Sequence, residues 1–202
     1  MTDTVLIDVP MPIVTPRLLL RPPQEGDGAA VHEAKRESWD ELAPWMIWAH
    51  GPRENLNIAD DEAFCRRKHA LFVKREDITL LNFERQTGRF LGGAGLHKCD
   101  WESRIFMVGF WIRTDATGNG YATEAATALV HYAFRALAAN RVWILHADGN
   151  EGSRRVIEKT GFTKEGVLRG HHGLIGGKLV DEHVYGMLDG KNAPKLDMRW
   201  GS

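Results

Sequence analysis

The chain has little of several things. It holds only two cysteines, Cys65 and Cys99. That excludes a disulfide framework and suggests two buried thiols in a reducing cytoplasm. No apolar run approaches the roughly 18 residues of a membrane span. The first residues lack a basic stretch followed by an apolar one, so no signal peptide is expected. Neither sign of charge dominates: 26 Lys and Arg stand against 27 Asp and Glu. A binder driven onto nucleic acid by electrostatics usually carries a strongly basic domain, so that class is disfavoured. Nine histidines are present, none at a metal-ligand spacing, and no metal is expected. Internal repeats and low-complexity segments are missing too.

What is present is ordinary for a packed globular chain: 43% hydrophobic and 26% charged residues in a length of 202. The patterning places one domain over residues 13–190, with terminal extensions at 1–12 and 191–202. Thr15 to Arg21 reads as a short strand ended by Pro22-Pro23. Asp27 is a candidate N-cap for a helix from Ala29 to about Trp39. Leu42 to Trp48 suggests a second short helix, and Ile58 to Lys74 a third, amphipathic one. Strands are expected over Ile78–Glu84, Phe90–His97 and Arg104–Arg113, forming an antiparallel meander. Tyr121 to Ala139 is the clearest helix, with an apolar stripe of Ala122, Ala126, Leu129, Ala133 and Leu137. A short strand over Val142–Ala147 follows, then a helix from Ser153 to Thr160 closed by Gly161. A final hairpin, Val167–Leu174 and Leu179–Leu188, turns at Gly176-Gly177. The sum is an α+β fold: a mixed, mostly antiparallel sheet of about seven strands, helices on both faces, and one central strand–helix–strand unit.

The segment that carries most chemistry is Thr117-Gly118-Asn119-Gly120-Tyr121-Ala122. Two glycines between a strand and a helix let main-chain N–H groups converge on an anion at the positive end of the helix dipole. Gly120 is followed by Tyr121, not Lys, which removes a P-loop. A dinucleotide fingerprint needs a third glycine where Thr123 stands, and needs to open a repeated βαβ unit. A pyrophosphate cradle of the acyl-coenzyme A type fits better.

With Gly120-Tyr121-Ala122-Thr123-Glu124-Ala125 stand Thr15-Pro16-Arg17-Leu18, Gly109-Phe110-Trp111-Ile112, Asn150-x-x-Ser153 and Glu158-Lys159-Thr160-Gly161-Phe162. In this order, over about residues 13–190, they resemble the GNAT superfamily of acetyl-coenzyme A-dependent N-acetyltransferases. More narrowly, they resemble its Rim-type branch, the ribosomal-protein N-terminal acetyltransferases. The pyrophosphate signature of that family, Gln/Arg-x-x-Gly-x-Gly/Ala, falls on Thr117, Gly120 and Ala122, with Thr117 replacing the longer donor.

The resemblance implies direct attack of an amine on the acetyl thioester of acetyl-CoA. The cofactor would lie against Trp111, Ile112 and Arg113 and in the cradle Thr117, Gly118, Asn119, Gly120, Tyr121 and Ala122. A main-chain N–H near Phe110–Ile112 would polarise the thioester carbonyl. Asn150 is the candidate partner of the pantetheine arm; an N-cap is its plainer role, and the two are compatible. Many relatives outside the branch carry an acid tyrosine seven residues after the Asn, where this chain has Ile157. Ser153 is then the catalytic candidate for stabilising the leaving thiolate, with a helix cap as its alternative. No carboxylate falls on Phe106–Gly109 to act as base. A water chain, or His97, His146, His171 or His172, are the alternatives; each histidine is more simply a surface or structural one. Glu124, in the first helical turn, suggests a fold-back cap. Trp39, Trp45, Trp48 and His50 would line the acceptor side or pack as core. Arg154 and Arg155 suit either cofactor phosphates or a solvated face.

The expected function is therefore a cytoplasmic N-acetyltransferase. The acceptor would be a protein N-terminal α-amine, or alternatively a small amine such as an antibiotic or polyamine. A non-catalytic acyl-CoA-binding sensor is the rival from another class. Homodimerisation is a family expectation, with Leu179–Leu188 as a strand that could pair or swap.

Overall fold

The computed structural model describes residues 3–49, 52–175 and 178–201. One sheet of nine strands runs through it, in the order β7-β8-β6-β5-β4-β3-β2-β1-β9. The strands are β1 (Ile13–Val14), β2 (Leu18–Arg21), β3 (Ile78–Glu84), β4 (Phe90–Asp100) and β5 (Ile105–Ile112). They continue with β6 (Arg141–Ala147), β7 (Thr163–Ile175), β8 (Lys178–Met187) and β9 (Arg199–Trp200). The sequence suggested seven. The two additions are the short outer strands β1 and β9, each two residues long. Such strands are too brief to show a period of two.

β9 pairs with β1, placing Ile13 opposite Trp200 and Val14 opposite Arg199. Both terminal stretches pack onto the same core as the rest, through Ile7, Val9 and Met11 at one end and Ala193, Leu196 and Trp200 at the other.

The helices are α1 (Gly28–Glu37), α2 (Trp39–Leu42), α3 (Ile58–Val73), α4 (Tyr121–Arg135) and α5 (Glu151–Thr160). α1 and α3 cover one face, where Val31, Ala34 and Cys65 meet Leu81 and Phe90. α4 covers the other face. Its small buried residues, Ala125, Ala126, Ala128 and Ala133, bring the helix close to the sheet around Leu129 and Tyr132. The expected helix over Leu42–Trp48 splits instead into α2 and a 3-10 turn at Ile47–Ala49. Asp27 precedes α1 but makes no side-chain cap bond. Its carboxylate is taken by Arg21, at 2.7 Å to each oxygen, and by the Gln24 N–H. A bidentate charged pair outcompetes a cap. The Gly176-Gly177 turn and His50 lie outside the described residues. β8 is flanked by β6 and β7, so the open edge on that side is β7, not the Leu179–Leu188 strand.

The feature that positions the site is a parting in the sheet. β5 and β6 are its parallel pair, and they pair only over Ile105–Met107 with Arg141–Trp143. Beyond that, β5 keeps β4 as far as Ile112, and β6 keeps β8 as far as Ala147. The two strands hold their outer partners and lose each other, which leaves a wedge open toward the N-termini of α4 and α5.

Candidate active site

The wedge leaves strand main chain unpaired. Arg113 donates its N–H to Leu91 O at 2.8 Å, next to the Gly92–Ile112 pair. Hydrogen-bonded pairs alternate along an antiparallel ladder. The main chains of Trp111 and Arg113 therefore face β4, and those of Phe110 and Ile112 face the gap. An extended ligand can complete the sheet there as an added strand would.

The gap opens into a cleft with two halves. One half, of about 580 Å3, is lined by Ile112, Thr117, Gly118, Gly120, Tyr121 and Ala122, and by Arg155 and Lys159 from α5. The other, of about 350 Å3, lies on the α1–α3 side and is lined by Phe64, Lys68, Thr79, His97, His146, His172 and Glu182. The same six residues line both: Trp45, Met46, Phe110, Trp111, Asn150 and Ser153.

The first half is built for an anion. Gly118 and Gly120 sit at φ +78° and +80°, a left-handed turn that glycine enters without strain. Among the described residues, no acceptor meets the main-chain N–H groups from Gly118 to Thr123. They form an orphan fan at the start of α4, where the helix dipole adds positive potential. A β-carbon at Gly118 would meet nothing within 4 Å, so the loop lies open to a ligand. These residues fit a pyrophosphate.

The loop is held from behind. Glu124 is buried and does not fold back onto its own helix as a cap. Its Oε1 accepts from Thr15 Oγ1 at 2.6 Å and from the Arg17 N–H at 3.0 Å, while Arg17 Nε reaches Oε2 at 2.5 Å. Arg17 then donates from Nη1 to Asn119 O at 2.8 Å and lies over the Tyr121 ring. Asn119 is turned inward: its Nδ2 donates to Ala116 O and Thr117 O. The Thr15–Arg17 segment is thus a brace for a loop about a hundred residues away in sequence. Nothing in the local pattern announces that contact.

Arg113 does not line the cleft. Its side chain is 4% exposed, paired with Glu37 and donating to Phe90 O. Asn150 caps α5, accepting from the Ser153 N–H at 3.0 Å through Oδ1; its amide nitrogen stays available to the cleft it lines. The Ser153 hydroxyl makes no hydrogen bond among the described residues. Ile157 is fully buried in the main core. The chain has three tyrosines, and each is committed elsewhere. Tyr121 donates to Glu84 at 2.6 Å, Tyr132 to Pro10 O at 3.0 Å, and Tyr185 is buried beside His146. Among the described residues, none of these tyrosines hydrogen-bonds Ser153.

On α5, Arg154 is engaged by Glu151 and Glu158, whereas Arg155 and Lys159 line the half that holds the glycine loop. Their spacing of four residues, one face of a helix, was the available signal for that pair. The aromatic segment roofs the junction. Trp48 packs on Trp111 with ring centroids 5.7 Å apart, and on Trp39 at 6.4 Å. Trp45 approaches the Gly149 turn. Trp39 is core, while Trp45 and Trp48 face the cleft.

Among the candidate histidines, His146 is stacked on His183, and burial is the chief cause that pushes its pKa below the ordinary histidine value. His171 and His172 both point Nδ1 at Glu182, and of the two only His172 lines the cleft. No group of three or more His, Cys, Asp or Glu side chains suited to a metal occurs among the described residues.

Comparison with known proteins shows the family and the fold. The acetyltransferase (GNAT) domain family matches residues 17–163. A Bacillus subtilis (strain 168) protein named "Putative ribosomal N-acetyltransferase YdaF" is 40% identical, over 80% of this chain and 88% of its own length. A solved structure described as a "Probable acetyltransferase" superposes with a TM-score of 0.78 at 28% identity, covering 86% of this chain and 93% of the other. A ribosomal L7/L12 α-N-protein acetyltransferase, RimL, in complex with coenzyme A shares the fold at a TM-score of 0.77 and 20% identity, covering 88% of this chain and 97% of its own. The chain belongs to the GNAT acetyltransferase family and is an acetyl-CoA-dependent N-acetyltransferase.

Proposed function

We propose that the acceptor is the N-terminal α-amine of a protein, ribosomal in type, acetylated in the cytoplasm. One observation carries the reading. The cofactor half and the acceptor half of the cleft meet at Phe110, Trp111, Asn150 and Ser153, so an amine entering one half arrives at a thioester lying in the other. The ribosomal name of a 40% identical relative supports the choice of acceptor.

Bound acetyl-CoA supplies the activated acetyl group. The residues of the chain do the rest. The loop from Gly118 to Ala122 receives the pyrophosphate, with Arg155 and Lys159 adding positive charge nearby. The outward main chains of Phe110 and Ile112 pair with the pantetheine arm, and a Phe110 or Ile112 N–H polarises the thioester carbonyl. Asn150 keeps Oδ1 on the helix cap and offers its amide nitrogen to the arm. Ser153 offers its hydroxyl to the leaving thiolate; a serine is a weak acid, so it stabilises charge more than it transfers a proton. Trp45, Met46 and Trp48 form an apolar roof that keeps water from the junction.

The test is acetyl transfer to short peptides carrying free α-amines, with N-terminally blocked peptides and a polyamine in parallel, read by mass. Acetylation confined to the free α-amine supports the proposal. Turnover of the polyamine alone would make this a small-molecule acetyltransferase.

A further inference from the structure

The mechanism above lacks a group to take the proton from the acceptor. His97 on β4 lies over a floor without side chains. A β-carbon at Gly95 would come within 3.1 Å of His97 Nε2, and one at Gly109 within 3.0 Å. Gly95 and Gly109 are cross-strand partners, so Nε2 stands over bare backbone one residue from Phe110. The other ring nitrogen, Nδ1, is 2.9 Å from Asp77 Oδ2. A carboxylate accepts, so Nδ1 carries the hydrogen, and in the neutral ring Nε2 is an acceptor. Among the described residues, Nε2 has no hydrogen-bond partner.

Asp77 is itself fixed. The Thr79 hydroxyl donates to it, and Lys68 Nζ lies 3.4 Å away. Burial alone would raise its carboxyl. The hydrogen bond and charge of His97, the Thr79 hydroxyl and the Lys68 ammonium outweigh burial and hold it at about 2. It is a carboxylate at any working pH.

We propose that His97 is the general base that deprotonates the acceptor ammonium, with Asp77 as its positioning residue. The assignment rests on the amine entering through the half of the cleft that His97 lines. The other histidines fit less well. Both ring nitrogens of His146 are engaged, by Ala147 O and the Tyr185 hydroxyl. His172 shares Glu182 with His171 on β7, three strands from β5 in the sheet order. His97 Nε2 takes one proton from the ammonium. The freed nitrogen lone pair attacks the thioester carbon, the C–N bond forms and the C–S bond breaks. The second nitrogen proton goes to the sulfur, and His97 returns its own to water. The charged and titratable groups around His97 are Lys68 on α3, Asp77 before β3, and across the cleft His146, His172 and Glu182.

The test pairs kinetics with a readout that needs no turnover. In the wild type, kcat/KM should fall on the acidic side as His97 protonates. His97→Gln should lose roughly 100-fold in kcat/KM at neutral pH while keeping its affinity for acetyl-CoA. Imidazole should restore part of the activity of His97→Ala. Asp77→Asn should lower kcat more than it raises KM. Nitrogen NMR of the ligand-free wild type should show His97 Nε2 titrating at the midpoint of the acidic limb, since kcat/KM reports the free enzyme. Wild-type kinetics in His97→Gln with the limb unmoved would overturn the proposal, and so would an NMR midpoint away from the limb. The NMR arm stands even if a variant does not fold. The amines are a peptide with a free α-amine and benzylamine. Turnover of benzylamine alone would sink the protein-acceptor reading and still test the base.

Discussion

At the residue scale, the site depends on which atoms are left free. Ser153 lines both halves of the cleft, and among the described residues its hydroxyl has no hydrogen-bond partner, tyrosine or other. Ser153→Ala should lower kcat by about 100-fold and leave acetyl-CoA affinity near wild type. Calorimetry beside steady-state kinetics checks this, and unchanged kcat would reduce Ser153 to a helix residue. Gly120 adopts φ +80°, and a β-carbon there would stand 3.4 Å from Arg17 Nη2. Gly120→Asp should weaken acetyl-CoA binding more than tenfold, about 1.4 kcal/mol or more, because a carboxylate would face the pyrophosphate. Unchanged affinity would remove the loop from the cofactor site.

At the element scale, the Thr15–Arg17 segment and the N-terminus of α4 form one unit through Glu124. Glu124→Gln keeps the shape but removes the charge that Arg17 and Thr15 address. It should cost about 2 kcal/mol of stability and weaken acetyl-CoA binding as well, because Arg17 also holds Asn119 O. Denaturant titration with and without the cofactor measures both. Much of this architecture was legible in the sequence. The period of α4, the strand runs and the glycine loop are local patterns, and they placed the strand–helix–strand unit and the left-handed turn before α4. The rest is tertiary. The Glu124 brace joins residues far apart in the chain, and the Asp77–His97 pair joins the ends of two neighbouring strands. The alternation that turns Trp111 inward and Phe110 outward depends on register, which no local pattern states. Asp27 reads as a cap from sequence because the competing Arg21 is visible only in the fold.

At the scale of the whole molecule, the buried titratable groups set the response to pH and to reagents. The Asp77 carboxyl is held at about 2 in the folded protein, below the roughly 3.9 of an unfolded chain. It therefore stabilises the fold at neutral pH, by about 2 kcal/mol. That contribution disappears as pH falls from about 4 toward 2. Denaturation at pH 7 and pH 3 should show Asp77→Asn less stable than wild type at the first, with the gap closing at the second. Burial pushes both cysteine thiols up to about 12. The buried Cys65 should not react with a thiol reagent at pH 8 until the protein unfolds, and rapid labelling of Cys65 in the native protein would contradict its burial. The pairing of β9 with β1 has a consequence of another kind. Gly201 donates its N–H to Pro12 O at 3.1 Å, so the stretch after β9 is also tied to the stretch before β1. The same contact means that β1 gains its outer partner only after Arg199–Trp200 has been made, so that edge of the sheet closes late in synthesis.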